Sequence, residues 1–465
     1  MENKGTMPQQ GAGNSQPVHI QKLNTTENRC VLSEEVFNRL ALSLGDYHLH
    51  VGQMSTKVRM FASGAETGQL RIPEHISQKI HLYPGWKLNI WRRDAHIYVG
   101  PVVGVLVNAK YVARIRQGYP PLSARKHMQA NDKAHCLTYF FTPEDVHALW
   151  PQTKGYYFDP ELKQWKRSWF PLPTTVYDRG LGFTDDEASM VNAVRQRLAK
   201  QNRVRFINSG SLGKWDLYAR LSTHDHLHAH LPKTKLLTGF ADVKHMLETY
   251  GYIFLKSFYG YHAREVMSIE KRNRKYIVHL IYKGLKKLRL ATEHELRRCI
   301  DHFVQNKPFV VQRGIRVLRY NELNMDLRLL LVKDGSPNWQ VIYNRARLAE
   351  KSFPIINSSL AKDIVAYDDI YEFSVRSMGT DSLPSSEQIN RLTIDIALTI
   401  EKEFGPFGEM GVDMAIDQHG HLWFIEANSK PNKNPKPELE DIKGISPQFL
   451  SVLEYAKCLE GVNHS

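Results

Sequence analysis

The rhythm of hydrophobic and polar positions changes several times along this chain, and each rhythm predicts a different layer. Residues 1–26 carry Gln, Asn, Gly and Ser with almost no apolar content, the composition of a disordered tail. Between 45 and 107 the period is two. Tyr47-His-Leu-His-Val51, Lys57-Val-Arg-Met60, Leu88-Asn-Ile-Trp91 and Ile97-Tyr-Val99 alternate, and Pro84-Gly85 marks a turn. This reads as a small β-rich domain over 27–107. Its last segment, Pro101-Val-Val-Gly-Val-Leu-Val107, is apolar throughout, as a buried strand entering a larger α/β unit would be.

That α/β unit is expected over 108–211. Cys136-Leu-Thr-Tyr-Phe-Phe141 reads as a strand. Thr142-Pro-Glu-Asp145 reads as a helix start, with a capping threonine, proline at the first position and acids behind it. Another helix is expected over about 185–200. From 212 to 440 short helices (212–221 and 241–250) alternate with strands at 252–256, 276–282, 309–315, 326–332 and 339–343. Ile389 to Phe404 then puts Leu392, Ile396, Ile400 and Phe404 on one helical face. Residues 441–465 read as a closing helix and tail. The sum is an α+β chain of several units, because 465 residues exceed what one ordinary core serves.

Composition narrows the class. With 42% hydrophobic and 24% charged residues, and no run of about 18 apolar residues, a globular chain with no membrane span is expected. The first residues lack the basic-then-apolar order of a secretory signal, so a cytoplasmic location is expected. Cys30, Cys136, Cys299 and Cys458 are far apart, which excludes a CxxC pair and a cysteine-built zinc site. The net charge of +14 favours anionic partners. From Lys256 to Arg298 twelve Lys/Arg face four Asp/Glu, so much of that field lies in one segment, either a solvated face or a polyanion-binding surface. No nucleic-acid recognition motif accompanies it.

The most informative stretch is Gly411-Val-Asp-Met-Ala-Ile-Asp-Gln-His-Gly-His-Leu-Trp-Phe-Ile-Glu-Ala-Asn428. Two alternating strands flank Gln418-His-Gly-His421, a hairpin loop of four. Pairing residue 417 with 422 sets Asp413 opposite Glu426, with Asn428 on the same face. Val412, Met414, Trp423 and Ile425 are then expected on the other face. Opposed acids repel unless a cation lies between them, and oxygen ligands alone suit Mg²⁺ or Mn²⁺. A solvated polar hairpin face is the alternative. Lys256 ends an apolar strand before a turn containing Gly260, which suits a phosphate contact or a solvated lysine. Asp326 and Arg328 share a strand face, as do Arg345 and Arg347 just past another strand. Such arginines suit a phosphoryl group or a plain surface pair. His224, His226, His228 and His230 follow a helix end and read as surface or packing residues ahead of a metal site. Walker, GxGxxG and kinase signatures are absent.

Phe407-Gly-Glu-Met-Gly-Val-Asp-Met-Ala-Ile-Asp-Gln-His-Gly-His-Leu-Trp-Phe-Ile-Glu-Ala-Asn-Ser-Lys-Pro431 resembles the C-terminal signature of the ATP-grasp superfamily, and within it the endospore coat-associated YheC/YheD family. Lys214-Trp-Asp-Leu-Tyr218, His230-Leu-Pro-Lys-Thr234, Phe309-Val-Val-Gln-Arg-Gly-Ile315 and Pro171-Leu-Pro-Thr-Thr-Val-Tyr-Asp-Arg179 resemble it too. The resemblance implies a glutathione synthetase-like two-lobed ATP-grasp domain preceded by an α/β pre-grasp unit and the small β-rich domain. It implies ATP and Mg²⁺ as cofactors. Lys256 and Gly260 would touch phosphates, and Val311, Gln312, Arg313 and Gly314 would form the hinge that reads adenine by backbone groups. Asp413, Glu426 and Asn428 would hold the metal, and Arg328 and Arg347 would face the γ-phosphate or an acyl-phosphate. The implied activity is an ADP-forming carboxylate–amine (or thiol) ligase with unknown acid and amine substrates, associated with sporulation or the spore coat and its proteins. The alternatives are a non-catalytic coat protein of that fold and a polyanion binder. One departure stands out. Where the family's phosphate loop has glycines, this chain has Ala263 and Glu265, and Glu265 brings negative charge towards phosphate.

Overall fold

The computed structural model describes residues 13–463 other than 65–66, 148–149, 201–203, 209, 211, 259–264, 282–284, 306, 352–360, 379–382 and 434–436. The period-two region closes into a seven-stranded barrel that runs from Gln16–Leu23 to His96–Gly100. Its first strand corrects the expected 1–26 tail. Val18 and Ile20 are buried, and the strand pairs parallel to Gln69–Pro73 and antiparallel to Lys87–Arg93. The alternation is only a few residues long, and polar flanks conceal it. The strand β1 (Val102–Leu106), counted within 27–107 but expected as a buried strand entering the α/β unit, is the central strand of the next sheet, buried along its whole length.

That sheet holds β1, β2 (Leu137–Phe141), β3 (Thr175–Asp178) and β4 (Arg205–Ile207). β1 lies parallel to both β2 and β3, and β3 lies parallel to β4. An antiparallel pair, Gln152–Asp159 and Gln164–Pro171, extends it beyond β2. Between β1 and β2 run α1 (Ala109–Arg116) and α2 (Leu122–Ala134). The expected helix after Thr142 is a single 3₁₀ turn, Pro143–Asp145. Its caps are present, but the chain turns back after Val146 and Asp145 pairs with Arg167.

Two further sheets follow. In the smaller lobe, β5 (Tyr252–Ser257) and β6 (Phe309–Arg313) lie side by side in a six-stranded sheet, with helices Phe240–Tyr250 and Glu293–Val304 packed on its core. In the larger lobe the spatial order is Asp363–Ala366, β8 (Trp339–Ala349), β7 (Leu323–Lys333), β9 (Glu409–Ile416) and β10 (Leu422–Asn428). β8 is longer than its apolar stretch suggested, so Arg345 and Arg347 are in-strand residues. One face of this sheet is covered by α3 (Ser386–Phe404). Ile389, Ile396 and Ile400 pack there with Leu327, Leu329, Val412 and Met414. Ser385 and Gln388 form the capping box that starts α3. The opposite face of β7, β9 and β10 carries the polar residues of interest.

The closing helix α4 (Pro447–Leu459) is no appendage. Phe449, Val452 and Leu453 join Val103, Val105, Ala124 and Ala130 in the core of the α/β unit. Beyond it, Val462–Asn463 pairs with Gly13–Asn14, so the tail expected there is tied down. No helix among the described residues is long and apolar enough to cross a membrane.

Candidate functional site

Asp413 does lie opposite Glu426, by a route the spacing did not indicate. Ile416 pairs with Leu422 and Met414 with Phe424, one step out of the expected register. A bulge between Asp413 and Met414 then restores it, setting Asp413 against Glu426 and Gly411 against Asn428. The extra residue is Ile425. It reverses the facing of half the strand: Phe424 joins Val412 and Met414 in the core, while Trp423 and Ile425, expected there, sit with Ile315, Val317 and Ala415 in a separate apolar cluster. Tyr218 secures the bulge by donating to the Ile425 carbonyl at 2.6 Å.

Around Asp413 the sheet register assembles a charge network. Arg328 is its direct neighbour on β7 and donates to Oδ1 at 2.8 Å. Arg347 pairs in register with Asp326 and grips it with Nε and Nη2 at 2.7 and 2.6 Å. Its Nη2 also lies 3.4 Å from Asp413 Oδ2. Burial works against the Asp413 charge, but Arg328 and then Arg347 outweigh it and hold the carboxyl below its ordinary range. Burial pushes Asp326 up to about 6 against the pull of Arg347, still below neutrality. Glu426 takes a hydrogen bond from Asn428 Nδ2 at 3.1 Å. Among the described residues no arginine or lysine is ion-paired with Glu426. The two carboxylates and the amide offer oxygen ligands of the kind a hard divalent cation takes. No group of three or more His, Cys, Asp or Glu in metal-binding arrangement occurs among the described residues; the third oxygen-bearing side chain on this face is the Asn428 amide.

From the smaller lobe, Lys256 is buried and donates to Gln312 Oε1 at 2.7 Å, and Gln312 donates to Thr234 Oγ1 at 2.9 Å. Burial brings Lys256 down to about 8, and Glu426 and Asp413 pull the other way across the cleft. Lysine and carboxylates therefore sense each other between lobes. Gly260 lies outside the described residues, as do 261–264. Glu265 is paired with Lys307 at 2.6 Å, so its charge is met at the lobe surface.

The expected adenine-reading segment needs correction. Val311 packs in the core of the smaller lobe. β6 is hydrogen-bonded on both sides, to Thr234–Leu236 and to β5, while the Arg313 and Gly314 amides donate to Lys233 and Tyr252 carbonyls. The main chain of 311–313 and the Gly314 amide are thus engaged within their own sheet. The crossing between lobes comes next, where the Leu318 amide donates to Ile416 O. Here Ile315 and Val317 meet Trp423 and Ile425, and the Arg313 guanidinium lies 4.9 Å from the centre of the Trp423 ring. A one-residue bulge leaves no mark in the apolar pattern, so this platform was not legible. The histidine run serves packing: His224 meets Glu403 at 2.9 Å and His230 meets Leu422 O at 2.9 Å.

A two-lobed α+β fold with a β-sheet cleft of this kind is the ATP-grasp fold, here preceded by the α/β unit and the barrel. Residues 203–459 match the model of YheC/D-like ATP-grasp proteins, more than half of the chain, and the protein belongs to that family. The endospore coat-associated protein YheC of Bacillus subtilis is 21% identical over 63% of this chain and 80% of its own length. YheD of the same organism is 19% identical over 83% and 85%. Among solved structures, the VanG D-Ala:D-Ser ligase of Enterococcus faecalis is similar at TM-score 0.45 and 12% identity, covering 77% of this chain and 99% of that one.

Proposed function

We propose that the cleft between the lobes binds Mg-ATP and that the chain is an ADP-forming ligase joining a carboxylic acid to an amine or thiol. The observation that carries this reading is the convergence of Lys256 from one lobe with Asp413 and Glu426 from the other, beside Arg328. Asp413, Glu426 and Asn428 would hold the divalent ion, which supplies charge neutralisation to the phosphates. Lys256, kept in place by Gln312, would contact phosphate oxygens. Trp423, Ile425 and Ile315 would support the purine.

In the reaction an acid oxygen attacks the γ-phosphorus and ADP leaves. The amine or thiol then attacks the acyl carbon and phosphate leaves. Arg328 stabilises the charge on the phosphoryl group in flight. Arg347, committed to Asp326 and Asp413, positions Asp413 and does not itself touch phosphate. By likeness to YheC and YheD, the setting is the spore coat. The test is ADP release by the full chain with Mg-ATP and pools of acids and amines. Release that requires both organic components supports the ligase; nucleotide binding without release under every pool would instead favour a non-catalytic coat protein of the same fold.

A further inference from the structure

The α/β unit contains a cavity outside the interlobe cleft. It lies beyond the carboxyl ends of β1 and β3, where the chain, having laid β2 on one side of β1, crosses to lay β3 on the other. At such a reversal the connections diverge and leave a crevice, the usual ligand position in open α/β sheets. Its volume is about 200 Å³, on the order of seven waters at ~30 Å³ each. Val107, Leu181 and Phe449 give it apolar walls, and Arg179 and Lys433 give it charge; no carboxylate lines it.

The charge around the cavity does not balance. Arg179 Nη1 and Lys433 Nζ both reach Glu409, at 2.8 and 2.7 Å, and Glu409 is fully buried behind them. Tyr177 also donates to this carboxylate, at 2.7 Å. Two cations thus share one carboxylate. The imbalance recurs beside it, where Arg195 and Lys430 share Asp178 at 2.7 Å each. Surplus buried cations are unfavourable without a further anion.

An independent observation points the same way. His127 lines the cavity, is 3% exposed, and its Nδ1 has no hydrogen-bond partner. Phe449 and Tyr177 fix the ring edge-on at 4.9 and 5.5 Å. Burial, then Lys433 and Arg179, keep this imidazole neutral, so it offers a hydrogen-bonding atom and no further charge.

The cavity also adjoins the machinery proposed above. Lys433 comes just after the Asn428 end of β10. Arg179 Nη2 donates to Pro431 O at 2.8 Å, and both Pro431 and Arg328 crowd Gly411 so closely that a Cβ there would meet them at 2.8 and 2.6 Å.

We propose that this cavity binds a small monocarboxylic acid with a compact apolar body. Arg179 and Lys433 hold the carboxylate, and Val107, Leu181 and Phe449 pack the body. Its role as the site of one organic substrate rests on the ligase reading; its capacity to bind the acid does not.

The test uses the full chain and ligand-observed NMR with isovalerate and 3-phenylpropionate, against isopentylamine and inorganic phosphate. The carboxylates are expected to bind and the amine is not. Arg179→Gln is expected to weaken binding about tenfold or more. Because that variant also removes a partner of Glu409, a second one guards against misfolding. Leu181 is 38% exposed, so Leu181→Asp keeps the fold while placing a like charge at the cavity; it should weaken the acids, and Leu181→Lys should not. Mg-ATP titrated into the same proteins separates the two claims. Intact nucleotide binding with acid binding lost in Leu181→Asp supports the cavity. Acids that bind alike to wild type, Arg179→Gln and Leu181→Asp, or not at all, overturn it. Phosphate binding more tightly than every carboxylate overturns the monocarboxylate assignment. Acid binding by a chain that never binds Mg-ATP leaves the cavity standing and removes the ligase.

Discussion

Glu409 and Asp413 stand four residues apart on β9, both buried, yet they organise opposite chemistries. Asp413 belongs to a set in which Asp326 and Asp413 share Arg328 and Arg347 while Glu426, opposite Asp413, pairs with neither, three acids to two guanidiniums within one sheet. Glu409 faces Arg179 and Lys433, one acid to two cations. The surplus is negative at the middle of the strand and positive at its first residue. A buried surplus calls for its counter-ion from solution, so the Asp413 set suits a divalent cation and the Glu409 set an anion. The lesson is that the ligand's sign follows from the residual charge after internal pairing, not from the sign of the residue.

The largest effect expected from breaking this comparison is on stability. Glu409→Gln leaves two buried cations without their carboxylate and should cost about 3–5 kcal/mol in denaturant unfolding, with Mg-ATP binding retained by the folded protein. Unchanged stability would mean that Arg179 and Lys433 have other support. Next comes turnover. Arg328→Gln should lower ADP release by about 100- to 1,000-fold while nucleotide affinity, read by calorimetry, falls far less. Trp423→Ala tests the purine platform; removing the ring should weaken Mg-ATP by about tenfold. A smaller effect follows from pH. Burial brings Lys256 down to about 8 in the protein without nucleotide. The protonated form binds phosphate, so affinity should be level below about pH 8 and fall above it. Lys256→Arg should flatten that profile, and a wild-type profile already flat through about pH 9.5 would contradict the assignment.

Much of this was legible in the chain, for reasons that differ by element. The α3 face showed because its apolar period persists for several turns and a capping box marks its start. The Asp413–Glu426 opposition was read correctly through two cancelling departures, a tighter loop and a bulge. The same bulge put Trp423 and Ile425 on the wrong face, since a single inserted residue alters facing without altering composition. The 16–23 strand was lost because Val18 and Ile20 are too few to stand out among polar neighbours. Ladder use of the 311–313 main chain, and the gathering of Arg179, Glu409 and Lys433, depend on sheet partners far away in sequence, which one chain read alone does not specify.

One titration bears most directly on the central claim. Mg-ATP is added to wild type, Lys256→Ala and Glu426→Gln under matched conditions, with an EDTA control for each. The account predicts magnesium-dependent binding by wild type, and affinity about 100-fold weaker or lost in both variants while their folds persist. Equal binding by all three proteins, or binding indifferent to EDTA, would contradict it.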